Sequence, residues 1–161
     1  MSSDMFLKLT DMEGESLDHK HGQEIDVLAW SWGMSQSGTT HLGPGAGSGK
    51  VSVQDVSVTK YVDSASHSLV QFCMNGKHFA EGMLTVRKAG GENPLEYVKI
   101  KMEDVIVTSI STGGSGGEDR LTENITLNFG KVTFTYTPQT ADGSGDAEKE
   151  YGYNIPANEP L

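Results

Sequence analysis

The chain has a single cysteine, Cys73, in 161 residues, so no internal disulfide can form and nothing points to oxidative folding. Its longest unbroken apolar run, Val27 to Trp30, falls far short of the roughly 20 residues that cross a bilayer as a helix, which excludes a helical membrane span. Met1 to Asp4 lack a basic stretch followed by an apolar core; no secretory signal is expected, and synthesis in the cytoplasm follows. Positive charge is scarce: 12 Lys and Arg stand against 22 Asp and Glu, and the net charge of -10 disfavours nucleic acid or an anionic membrane surface as a direct partner. Proline is sparse, 5 against 20 glycines, and with a charged fraction of only 21% the glycines indicate tight turns rather than disorder. The length fits one domain.

Hydrophobic alternation is the main pattern that remains. Met5, Leu7 and Leu9 share one side of a first strand. Leu28, Trp30, Trp32 and Met34 share one side of a longer one and are expected to face the core, with Val27, Ala29, Ser31 and Gly33 opposite. From Val51 to Tyr61 the apolar phase changes around Gln54 and Asp55, which predicts a β-bulge; the same slip recurs between Phe129 and Val132, with Gly130 at the join. Phe79 to Arg87 and Tyr97 to Ile110 read as further strands, the second with Val98, Ile100, Met102, Ile106 and Ile110 in one phase. Ala65, Leu69, Phe72 and Cys73 have helical spacing, Asp63 or Ser64 can cap the start and Asn75-Gly76 can end it, which predicts one short amphipathic helix. Two glycine-rich segments, Gly43 to Gly49 and Gly113 to Gly117, and the polar stretch after Pro138 read as loops.

The motifs that suggest chemistry fail on their details. Gly43 to Lys50 resembles a phosphate-binding loop, but Pro44 displaces a glycine, Val51 stands where a magnesium-binding hydroxyl belongs, and a strand follows instead of a helix. His19 and His21 lie in a polar turn where a solvated histidine is the ordinary outcome, so no metal site is expected. The run from Asp142 to Asp146 has Tyr153 where a calcium loop needs glutamate. Ser66 and His67 are helical neighbours pointing apart, Cys73 falls on the apolar helix face, and Gly33 to Gly38 misses the nucleophile-elbow spacing. Asn124-Ile125-Thr126 matches a glycosylation acceptor inside an expected strand. No enzyme, cofactor or metal is expected from such a chain.

The run IDVLAWSWGMSQSG, the block VSVQDVSVTKYVD ahead of the helix, and KAGGEN with LEYVKIKMEDVIVTS resemble the Hcp family of bacterial type VI secretion. GGSGGEDRLTENITLNF and the terminal YGYNIPAN extend the resemblance over nearly the whole chain, the weakest stretch being Gln139 to Lys149. The resemblance implies a mainly β fold, a compact β-barrel of two sheets with one short flanking α-helix, over residues 1–161, with an extended loop near 38–50 and a variable loop near 138–150. It implies a homohexameric ring with a wide channel, rings stacking into an expelled tube, and effector proteins carried in the lumen. Sheath and spike-tip proteins are the implied further partners, and the protein itself leaves through the secretion apparatus.

Two other readings compete: a phage tail-tube subunit, and a carbohydrate-binding β-sandwich stacking sugar on Trp30 or Trp32. Within the family reading, the stretch that matches the channel wall places Val27, Ala29 and Ser31 on the lumen, although such small residues also suit close packing of an adjacent subunit. His41-Leu42-Gly43-Pro44-Gly45-Ala46-Gly47-Ser48-Gly49-Lys50 is too glycine-rich to form a core and is expected to drape over a neighbouring ring.

Overall fold

Most of the alternating segments become strands of one curved antiparallel sheet. The computed structural model describes residues 3–38, 50–88 and 93–161. Along these residues run β1 (Ser3–Leu9), β2 (Ile25–Ser31), β3 (Met34–Ser35), β4 (Ser52–Val53), β5 (Val56–Tyr61), α1 (Ser66–Asn75), β6 (Phe79–Lys88), β7 (Glu96–Thr112), β8 (Thr122–Tyr136), β9 (Lys149–Asn154) and β10 (Glu159–Pro160). The sheet runs β8-β5-β2-β1-β6-β7 and closes on itself because β7 also pairs with β8. Closure leaves those six strands without a free edge. β9 and β10 extend from β8 beyond the barrel, while β3 and β4 form a separate two-stranded ribbon.

Leu7, Ile25, Val58, Leu84, Ile100, Val105, Ile125 and Leu127 fill the barrel. The helix lies against β7, with Leu69 buried and Phe72 and Cys73 packed on the same core. Asp63 accepts the Ala65 N–H at 2.9 Å, and the chain leaves the helix through Gly76 at φ 65°, the left-handed conformation that favours glycine.

Three expected strand details differ. Val51 to Tyr61 is two strands in separate sheets, broken at Gln54-Asp55, and the Gln54 N–H donates to the Gly33 carbonyl at 2.9 Å instead of continuing a ladder. At Gly130 there is no bulge: Glu103 pairs with Lys131 and Val105 with Phe129 without a shift, so β7 and β8 change their inward phase together. The even phase of β7 therefore ends at Met102, Val105 and Val107 turn inward, and Ile106 does not share the core face of Ile100. In β2 the register shifts between Val27 and Ala29, so Ile25 and Val27 face the core while Leu28, expected inside, is 40% exposed.

The most deeply buried charge joins helix and barrel. Lys60 is 0% exposed and its Nζ lies 2.5 Å from Glu123 Oε2, 3.0 Å from Asp63 Oδ1 and 3.3 Å from Ser66 Oγ. Ser66 Oγ in turn donates to Glu123 at 2.6 Å. Removing one partner strands a buried charge, whereas replacing both ions by apolar groups removes the desolvation cost as well. Lys60→Ala is expected to lower unfolding free energy by roughly 3–5 kcal/mol in equilibrium denaturation, and the pair Lys60→Met with Glu123→Leu by clearly less. A loss under about 1 kcal/mol for Lys60→Ala contradicts this account.

Candidate functional site: an uncharged hydroxyl face

Outside the barrel, the strands β2, β5, β8 and β7 present short polar side chains wherever their core residues point inward. The register sets these side by side. Ser31 pairs with Ser57, Ser57 with Thr126, and Thr126 with Ser109. One row over, Ala29 pairs with Thr59, Thr59 with Asn124, and Asn124 with Ser111. None of these positions is charged, in a chain with 22 acidic residues. All are exposed or half-buried.

Part of the face is held by side-chain hydrogen bonds. Thr59 Oγ1 donates to Asn124 Oδ1 at 2.6 Å, and Thr126 Oγ1 lies 2.7 Å from Thr108 Oγ1 and 2.6 Å from Ser109 Oγ. The register shift between Val107 and Ser109 brings both of those hydroxyls to the same threonine. At the rim, Asp55 accepts from Thr108 Oγ1 and from Asn128 Nδ2. The two rows themselves are thus uncharged, with Asp55 only at their rim, and carry no large apolar side chain for another molecule to adhere to.

Ala29 and Ser31 lie on this face as expected from their alternation. Val27 does not: it is 7% exposed in the core, because the extra residue at Leu28 reverses the phase between it and Ala29. Lys50 is exposed ahead of β4, and His41 to Gly49 lie outside the described residues. Ser57, Thr59, Ser109 and Ser111 belong to no motif in the sequence, and Asn124 and Thr126 stand out there only as a glycosylation-acceptor match. Their alternation with Val58 and Ile125 was legible, but only the register shows that they meet Ala29 and Ser31.

A second feature flanks the face. Trp30, Trp32, Met34, Val53, Phe134 and Tyr151 are among the residues lining an apolar groove of about 640 Å³. Trp32 stacks on Phe134 with centroids 6.5 Å apart and donates its Nε1 hydrogen to the Gln54 carbonyl at 2.9 Å. The tryptophans are half-buried against the core, but Met34, expected inside, is 51% exposed because β2 ends at Ser31 and Met34 leaves with the ribbon. His21, expected in solvent, is buried, and among the described residues no group of side chains could hold a metal. Ser66 is engaged by Lys60 and Glu123 rather than by His67.

The described residues thus make a small structural β-barrel, closed and antiparallel, with one flanking helix, extended outer strands and an uncharged sheet face. A solved type six secretion system protein superposes with a TM-score of 0.91 at 30% identity, covering 99% of this chain and 100% of that one. Hcp1 from Salmonella typhimurium superposes at 0.82 with 39% identity over 100% of both chains. The protein hcp1 of Pseudomonas aeruginosa is 58% identical over 159 residues, 98% of each chain. The profile of the family described as "Type VI secretion system effector, Hcp" matches residues 6–136. The chain belongs to the Hcp family of type VI secretion proteins. The phage tail-tube and carbohydrate-binding readings are not favoured.

The face assignment makes a direct prediction for the folded protein. In a background with Cys73 replaced by alanine, Ser57→Cys reacts readily with a small maleimide, while Val58→Cys, one residue away on the core side, reacts only after denaturation. Equal native rates at the two positions contradict the assignment.

Proposed function

We propose that this chain is the tube subunit itself: a non-enzymatic protein that closes into a homohexameric ring, with the Ser31-Ser57-Thr126-Ser109 row and its neighbour facing a central channel. The observation that carries this reading is the absence of charge along both rows. A channel wall has to admit passengers of differing charge and release them, and short hydroxyl and amide groups hydrogen-bond weakly to each. Closure suits a heterologous interface, which is satisfied in every subunit only when the rotation closes.

Stacked rings form the expelled tube in this reading, with effector proteins inside and sheath and spike-tip proteins outside. The segment His41 to Lys50 is the proposed stacking contact. In this reading the protein leaves the cell through the apparatus. Ala29 and Ser31 are the proposed channel-lining residues on β2; Val27, buried in the core, is not one of them.

Assembly is tested by light scattering of the purified protein: a hexamer mass unchanged by chelator is expected, and a stable monomer at micromolar concentration contradicts ring formation. Deleting part of Gly43 to Gly49 is expected to leave hexamers intact while reducing tube formation; loss of the ring state would assign the segment to the lateral interface. Ser31→Gln separates lumen from packing roles. A lumen position predicts an intact hexamer with weakened effector binding, whereas a packing position predicts a ring destabilised by about 1 to 3 kcal/mol through overpacking. Normal effector binding by an intact Ser31→Gln ring sinks the channel assignment.

A further inference from the structure

We propose that His21 is a pH-sensitive clasp, closed when its imidazole is protonated, that ties the connection between β1 and β2 to the first residue of β7. The connection is itself folded like a hairpin: the Gly14 N–H donates to the Gln23 carbonyl at 2.8 Å, Ser16 N–H to Glu24 at 3.0 Å, and Gln23 N–H to Ser16 at 2.8 Å. A Cβ on Gly14 would stand 2.6 Å from the Glu24 carbonyl oxygen, so only glycine permits this approach.

His21 sits at the tip of that fold, 9% exposed, with its ring stacked on Phe6 of β1 at 4.4 Å between centroids. Its Nδ1 lies 2.9 Å from Glu24 Oε2 and its Nε2 lies 2.6 Å from Glu96 Oε2. Both ring nitrogens thus face carboxylates, which accept and cannot donate when ionised. A neutral imidazole carries one N–H and can satisfy only one of them, leaving the other carboxylate against a nitrogen lone pair. The imidazolium donates to both.

The surrounding charges do not take over this role. On the same connection, Asp18 accepts the His21 backbone N–H at 3.2 Å and is bound by both terminal nitrogens of Arg87 from β6, at 2.6 and 2.9 Å. Asp4 of β1 accepts from Arg87 at 3.0 Å. The Arg87 guanidinium, which also lies over the Phe6 ring at 5.0 Å, is therefore committed to those two aspartates. On β7, Lys99 reaches only the other oxygen of Glu96, at 3.7 Å. Among the described residues Glu24 has no ion-pair partner but His21.

Burial opposes the charged imidazole, but the hydrogen bonds it donates to Glu96 and then Glu24, with their Coulombic attraction, outweigh it and raise the His21 pKa above its ordinary 6.5. With the folded value above the unfolded one, the stabilisation is complete below the unfolded value and is lost as pH rises through the folded value. The clasp tightens in acid and loosens on the alkaline side. This inference depends on the subunit fold alone and stands whether or not the ring reading holds.

Exchange of the imidazole C2 hydrogen, read by mass spectrometry on the assembled protein, gives the titration midpoint of His21 directly, and backbone amide exchange of residues 14–24 reads the clasp. The expected midpoint lies above 6.5 and drops in Glu96→Gln. Protection of residues 14–24, corrected for intrinsic exchange, is expected to fall severalfold from acid to alkaline pH in the native chain and to become pH-independent in His21→Gln. If His21→Gln does not fold, Glu96→Gln carries the same comparison, with a diminished pH dependence expected. A His21 midpoint at or below 6.5, or native protection unchanged with pH, overturns the proposal.

Discussion

β8 pairs with β7 along nearly its whole length, yet its other edge is shared, first by β5 over Thr122 to Leu127 and then by β9 over Lys131 to Tyr136. One strand therefore serves a closed barrel and an extended sheet, and the two demand opposite inward phases. The change is made jointly. Ile125, Leu127 and Phe129 face the core before Gly130 and Val132 after it, while on β7 Val105 and Val107 answer Ile100 and Met102 across Asp104. Asp104 takes φ 55°, a conformation costing on the order of 1–2 kcal/mol for a residue with a Cβ, and its carboxylate lies over the facing Gly130, where a Cβ would meet it at an ordinary contact of 3.4 Å. Because both strands switch at facing positions, the ladder keeps its register across the switch, from Val98 to Val107.

The location of charge follows from that hairpin. Its first segment directs Glu123 inward to meet Lys60, and the same alternation directs Asn124 and Thr126 outward. A buried ion cluster on one side and a charge-free face on the other are thus two consequences of one register. The bonded side chains Thr59, Asn124, Thr108, Ser109 and Thr126 are also preorganised, with little side-chain freedom left to lose on contact with another molecule.

Much of this was legible in local sequence. The helix announced itself through Leu69, Phe72 and the Asn75-Gly76 stop, and the strands through alternation. The resemblance to the Hcp family gave the barrel. What stayed hidden depended on partners distant in the chain. Val27-Leu28-Ala29-Trp30 is apolar throughout and carries no phase, so the bulge that buries Val27 and exposes Leu28 is set by pairing with β5. The slip at Gln54-Asp55 fits a bulge or a break equally until β4 is seen to pair with β3. His21 has polar neighbours in sequence, and its burial comes from Phe6 and from Glu96, 75 residues away. The hydroxyl rows were visible strand by strand but not as rows.

The central claim is that the uncharged rows form the inner wall of an assembled tube. Cryo-electron microscopy of the purified, assembled protein tests it most directly. The account predicts six-membered rings in which Ser31, Ser57, Thr126 and Ser109 of every subunit point into the central channel. Rings that place those four residues on the outer wall, or bury them between subunits, contradict it.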